Sequence, residues 1–429
     1  MQGVYYMKTG FCKADILLPN KIDVSKWSVV ACDQYTSEPK YWEETTEIVG
    51  DAPSTLKITL PEVYLENEDA KAITSRIESI NKTMLEYLNS DIFKEHTGSF
   101  IYTERTGRDG KVRCGLMGAV DLEEYDYNKG SQSLIRATEG TVLDRLPPRV
   151  KVRENASLEL PHIMLLVDDE SNSVFGGISP TSSLEKVYDF TLMHNSGEIK
   201  GWVLDNNSEK NVTNSLEKLA NPDSFNKKYN ITDKGVLLFA VGDGNHSLAT
   251  AKQCYEQNKL TMPQSKWENH PSRYALIELV NLHDSSLEFE AIHRVIFDID
   301  RTDLLAEFEK FYDISHSQCD GQKIVLVLDG EQKPVWIKNP SANLPVGSLQ
   351  NFIDSYLSSH NGKVDYIHGD DVVTSLSHEE QNIGFLLPSM EKNQLFKTVI
   401  VDGALPRKTF SMGHAWDKRF YLECRKVKK

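Results

Sequence analysis

Apolar residues recur along this chain in two rhythms, and their alternation sets the expected architecture. Over 68–88, Ile73, Ile77, Ile80, Met84 and Leu88 lie three or four residues apart, which predicts a helix with one buried face. Short continuous apolar runs predict strands at 16–18, 28–31, 163–167, 187–191, 199–204, 274–281 and 293–297. The segments 99–106 and 112–121 flank Gly107-Arg108-Asp109-Gly110 and read as a β-hairpin. Helices are expected at 212–220 and 248–259. The final third alternates: helix 303–312, strands 323–328 and 334–338, helix 348–358, strand 364–367, helix 370–381, strand 383–387, helix 391–402. Such alternation predicts a layered α/β fold of mixed (α+β) character.

Length and charge narrow this picture. A chain of 429 residues exceeds one hydrophobic core, so two or three domains are expected. Changes of pattern near 131 and 273 divide it into 1–130, 131–272 and 273–429. A net charge of −15 repels nucleic acid and anionic membrane surfaces, so neither is expected as a partner. It leaves room for a small phosphorylated ligand in a local basic pocket. The cysteines (Cys12, Cys32, Cys114, Cys254, Cys319, Cys424) are scattered without a CxxC pair, as reduced thiols would be. No apolar run approaches the ~20 residues of a membrane span. The first residues lack a basic region followed by an apolar stretch, so a cytoplasmic location is expected.

The strongest chemical signal lies at 235–252. An apolar run, Gly235 to Val241, reads as a buried strand. Gly242-Asp243-Gly244-Asn245-His246 reads as a tight turn, and a helix follows. Free N–H donors and the positive end of a helix dipole favour phosphate there, and the two glycines admit a ligand closely. Asp243 and His246 can add proton chemistry or hold a metal. Neither GxxxxGK[ST] nor GxGxxG is present. An ordinary strand-to-helix turn capped by Asp243, Asn245 or Ser247 stands beside this reading.

Three other segments qualify. In Arg136-Ala137-Thr138-Glu139-Gly140-Thr141, Glu139 can act as a general base on an attacking hydroxyl. An exposed loop with a surface Arg136–Glu139 pair, worth at most ~1 kcal/mol, is the bland alternative. Arg145, Arg149, Lys151 and Arg153 surround Pro147-Pro148, and arginine forks match phosphate oxygens. A solvated strand edge would look the same. Arg407-Lys408 beside Thr409 and Ser411 can close over an anion. His368-Gly369-Asp370-Asp371 reads better as the charged start of a helix than as a metal site.

In order and spacing, 135–141, 242–251, 366–370 and 406–410 together resemble the DUF1015 family over nearly the whole chain. The central motif is also similar to the ParB/sulfiredoxin-type nucleotide-binding fold, to which free serine kinases of archaeal type belong. The usual Asp-Gly-His-His-Arg stands here as Asp243-Gly244-Asn245-His246-Ser247, and the frequent His-Glu pair as Thr138-Glu139. This resemblance implies a ParB/sulfiredoxin-like core with additional α/β segments at both ends. It further implies a phosphotransferase that uses ATP or ADP with Mg²⁺ to make O-phosphoserine from free L-serine. Glu139, Asp243 and His246 would be catalytic, Asp243 also positioning the metal. Gly242, Gly244, Asn245, Ser247, Arg136, Thr138, Arg145, Arg149, Arg407 and Lys408 would bind the nucleotide and its phosphates. A small-molecule substrate is the partner expected, with a homodimer as the assembly considered. Two other functions suit the same residues: a nucleotide-responsive regulator without chemistry, and a metal-dependent phosphohydrolase.

Overall fold

A computed structural model describes residues 9–140 and 146–428 of the protein, the side chain of Glu66 apart. The chain divides into two compact units. One contains the residues through Leu287 and the segment from His414 onward; the other is Glu288–Gly413. Both are α/β.

The first unit is built on a ten-stranded mixed sheet. Its strands run in the order Glu185–Thr191, Glu198–Val203, Ile101–Thr106, Val112–Asp121, Tyr274–Asn281, Met164–Val167, Phe239–Asp243, Ile135–Ala137, Tyr125–Asp126, with Phe11–Cys12 paired to Val112–Asp121. The hairpin forms where its turn predicts, Thr106 opposite Val112. Alternation then sorts side chains between the two faces. Met117, Ala119 and Leu276 meet Trp27, Trp42, Ile80 and Met84 of the helices Val24–Trp27, Pro39–Val49 and Ala70–Asn89. On the other face, Leu116, Val120, Ile277 and Leu279 meet Val212, Leu216, Leu248 and Tyr255 of the helices Asn206–Leu219 and Asn245–Thr261. A sheet covered on both sides explains why its central strands read as unbroken apolar runs.

Two local expectations are overturned. The 28–31 run forms no strand. Its backbone is bonded partly by the returning C-terminal segment, Ala31 N–H donating to Arg419 O and Tyr421 N–H to Val29 O, while Val29 N–H donates to Thr55 Oγ1. The basic 146–153 stretch is a helix, Leu146–Arg153, not a strand edge. Pro147 and Pro148 fall in its first turn, where a missing N–H removes no intrahelical bond, while Leu146 and Val150 are buried.

The second unit carries a six-stranded antiparallel sheet ordered Ile314–Ser315, Glu331–Ile337, Gln322–Leu328, Ile383–Leu386, His293–Phe297, Lys363–Ile367. The helix expected over 370–381 stops at Leu376. Arg294 is fully buried here, held by Gln350 Oε1 and by the main-chain oxygens of Ile292 and Arg407. No described helix is long and apolar enough to cross a membrane.

Candidate functional site

The strand Phe239–Asp243 lies parallel to Ile135–Ala137 and antiparallel to Met164–Val167. Its C-terminal end therefore emerges beside residues 138–139 on one side and 162–163 on the other. The pairing register slips between Val241 and Asp243, so Gly242 occupies a bulge that ends the ladder and re-aims the chain. Gly244 alone makes the turn. Its φ of +78° is left-handed, and a Cβ there would lie 3.0 Å from the Cα of Ile163. The helix Asn245–Thr261 begins at once. The turn is thus one residue long, with Asp243 still in the strand and His246 already in the helix.

No described side chain caps this helix. The candidate caps are engaged elsewhere. Asp243 Oδ1 accepts from the N–H of Gly244, and its Oδ2 lies 3.3 Å from Lys418 Nζ. Asn245 clasps Thr138: its Oδ1 accepts from the Thr138 N–H at 3.2 Å, and its Nδ2 donates to Thr138 Oγ1 at 3.3 Å. Thr138 Oγ1 in turn donates to Val241 O at 2.6 Å. Asn245 and Thr138 are therefore bonded to each other. Their clasp holds Glu139, half-buried, next to the helix start.

Ser247 Oγ is 2.8 Å from His162 Nε2, and His162 Nδ1 is 2.8 Å from the Tyr421 hydroxyl. The N–H of Cys32 donates to that same phenol oxygen at 3.1 Å. Asp33 Oδ2 lies 4.0 Å from His162 Nε2. Burial pushes the Asp33 carboxyl up, but His162, the Gln34 amide and Lys418 outweigh it and hold it below its ordinary range. His162, Ser247 and Tyr421 line a cavity of about 150 Å³ whose other walls include Ile58, Leu60, Leu65, Met84 and Leu276.

The remaining candidate residues take other positions. Arg136 is buried, its Nε and Nη2 donating to the main-chain oxygens of Ser133, Gly235 and Val236. Arg149 pairs with Glu62 and Arg153 with Glu159. Arg145 lies outside the described residues. Arg407 and Lys408 belong to the second unit, both exposed, with Arg407 over the Tyr366 ring and 3.9 Å from Asp354. His246 is half-buried at the helix start and its carbonyl accepts from Thr250 Oγ1. Asp370, the first residue of the helix Asp370–Leu376, bonds His293 Nε2 at 2.8 Å in the second unit.

Sequence reasoning missed Asp33, His162, Lys418 and Tyr421. None sits in a motif, and the only local signal was a histidine after Pro161 at the head of an apolar strand. Among the described residues, the group with metal-ligand geometry is Asp168, Glu170 and His283. Lys228 Nζ lies 2.8 Å from Asp168 and 3.5 Å from Glu170, so an ammonium already offsets part of their charge.

Comparison with known proteins adds a family. The model of "Protein of unknown function (DUF1015)" matches residues 15–356. No curated protein matches the chain. Among solved structures, a conserved hypothetical protein from Pyrococcus furiosus is similar at 10% identity and a TM-score of 0.36, over 74% of this chain and 96% of that one. A free serine kinase in complex with AMP is similar at 9% identity and a TM-score of 0.38, over 74% and 93%. SbnI from Staphylococcus aureus, with a C-terminal truncation, is similar at 9% identity and a TM-score of 0.36, over 69% and 82%.

Proposed function

The chain belongs to the DUF1015 family, and from that premise we propose that it is a nucleotide-dependent phosphotransferase acting on a small hydroxyl-bearing metabolite. Free L-serine is the acceptor in this reading, O-phosphoserine the product, and ATP or ADP the donor. Its core, over 131–272, is then of the ParB/sulfiredoxin type. One observation carries it: a bulge and a single left-handed glycine join a buried strand to a 17-residue helix, with Asp243 and Lys418 at the junction.

The chemistry asked of such a site is mostly positioning and charge stabilisation. First-turn N–H groups of the helix would take phosphate oxygens, and the bulged Gly242 and side-chain-free Gly244 would let them approach. Lys418 would turn from Asp243 to the phosphates. Asp243 would then be free to hold Mg²⁺, which needs only one or two protein carboxylates when phosphates complete its shell. Glu139, kept at the helix start by the Thr138–Asn245 clasp, would accept the proton of the attacking hydroxyl. His246 would stand near the transferred group. Arg149 is already neutralised by Glu62, so the positive charge assigned here to transfer is that of Lys418 and the helix dipole.

The test is direct. Protein, ATP or ADP, Mg²⁺ and serine are incubated and O-phosphoserine is measured by mass. Glu139→Gln is expected to slow the reaction by about 100-fold or more, while calorimetry still detects nucleotide binding. Binding without O-phosphoserine would leave a nucleotide-responsive regulator. A protein that binds neither nucleotide overturns the proposal.

A further inference from the structure

We propose that Ser247 is a covalent nucleophile with His162 as its general base, and that the cavity they line accepts the acyl group of a short apolar ester. This goes beyond the phosphotransferase reading, which uses the main-chain N–H groups of the same helix turn.

Three observations converge. The first is a continuous hydrogen-bonded line, Ser247 Oγ to His162 Nε2 and His162 Nδ1 to Tyr421 Oη, both links 2.8 Å. This is the order in which a nucleophile, its base and an orienting group must stand. The orienting partner sets the tautomer. With Nδ1 protonated and donating to the phenol oxygen, Nε2 keeps a lone pair directed at Ser247 Oγ. The Cys32 amide bonds the same oxygen and fixes the phenol in place. Burial holds the Tyr421 hydroxyl far above its usual range, so the phenol stays neutral and does not compete for the role of base.

The second is electrostatic. Asp33 Oδ2 at 4.0 Å from Nε2 favours the imidazolium that forms when His162 takes the serine proton. Ser247 also lies in the first turn of a 17-residue helix, whose positive end faces charge developing on a carbonyl oxygen. The third is the cavity itself. Its walls include Ile58, Leu60, Leu65, Met84 and Leu276, which suit an apolar group, while its charged members are paired with one another, Arg149 with Glu62 and Arg153 with Glu159. An acyl chain is desolvated against those apolar side chains.

The reaction balances without a cofactor. Ser247 Oγ attacks the ester carbonyl carbon as its proton passes to His162 Nε2. The carbonyl–alkoxy bond breaks, and the leaving alcohol takes that proton. Water then attacks the acyl-serine, again giving its proton to His162, and the carboxylic acid departs as Ser247 recovers its hydrogen. Tyr421 is a positioning residue.

The full-length protein is treated with an excess of an alkyl fluorophosphonate, and intact mass and peptide mapping are followed. A single adduct on the peptide containing Ser247 is expected, together with hydrolysis of p-nitrophenyl butyrate that the adduct abolishes. Ser247→Ala removes both. His162→Gln keeps a side chain able to bond Ser247 and Tyr421 but unable to serve as base, so it lowers the labelling rate by about 100-fold or more at an unchanged melting temperature. Tyr421→Phe lowers kcat while leaving KM for the ester near the wild-type value. Wild-type protein that stays unlabelled, an adduct elsewhere, or His162→Gln reacting at the wild-type rate overturns the proposal. These readouts need no nucleotide, so their failure is separate from failure of the phosphotransferase reading.

Discussion

Gly244 holds the strand and helix at an angle that an L-residue tolerates poorly. Its φ of +78° strains any L-residue, and the 3.0 Å approach of Ile163 Cα makes a methyl group a tight fit. Gly244→Ala is therefore expected to destabilise the protein by about 1–2 kcal/mol from the left-handed conformation alone. Urea unfolding measures it, and an unshifted midpoint contradicts the turn as described. Asn245 acts by a different route. Truncating it to Ala leaves the N–H of the buried Thr138 without its acceptor, at a cost of about 1–3 kcal/mol. The loss should extend to any activity that depends on Glu139. Asn245→Asp keeps an acceptor for that N–H and should recover most of the stability. The glycines and the polar turn residues were legible in the sequence because backbone need and residue type coincide there. That Asn245 would bind Thr138, rather than cap its own helix, was not.

At the scale of elements, periodicity located most of the secondary structure. The expectations at 274–281 and 293–297 agree with Tyr274–Asn281 and His293–Phe297, where buried strands end at polar or turn residues. Local pattern failed where the partner is distant. The 28–31 run looks like a strand, yet it is buried against a tail segment that supplies part of its hydrogen bonding one bridge at a time. Cations at 146–153 looked like a strand edge because the charges dominate the string, while two apolar residues on one face decide the helix. That helix makes a testable prediction. Arg149 faces Glu62, whose carboxyl burial already pushes up and Arg149 partly pulls back. Arg149→Ala should cost about 1–3 kcal/mol at neutral pH. A carboxyl with a raised folded pKa penalises the fold only while ionised, so the cost should shrink as pH falls and Glu62 takes a proton. A loss independent of pH would mean that packing, not charge, is what Arg149 supplies.

On the scale of the whole molecule, the first unit is closed by the segment from His414 onward. Arg419 is 2% exposed and bonds Glu278, itself 0% exposed, and Glu423. Arg105 adds donors to the main-chain oxygens of Trp416 and Lys418. Arg419→Met leaves two buried carboxylates short of a partner and should destabilise by about 3–5 kcal/mol. A chain ending at Gly413 should not yield a cooperatively folded first unit, as calorimetry would report. Burial pushes the carboxyls of Glu278 and Glu159 up, but arginines outweigh it and hold both below the usual range. Depressed carboxyls add stability that is present above the unfolded pKa of ~4 and lost as pH falls through the folded values. Unfolding free energy should therefore hold from neutral pH to about pH 5 and fall steeply below pH 4. The sequence by itself determined the α/β class, many of the strands and helices, and the strand–glycine–helix junction, because each depends on periodicity or on one backbone conformation. Only the tertiary structure decided what stands around that junction. Lys418 reaches Asp243, Tyr421 reaches His162, and Asp33 faces them both because sheet order and a returning tail bring remote residues together. Contacts of that kind leave no period in the chain that could announce them.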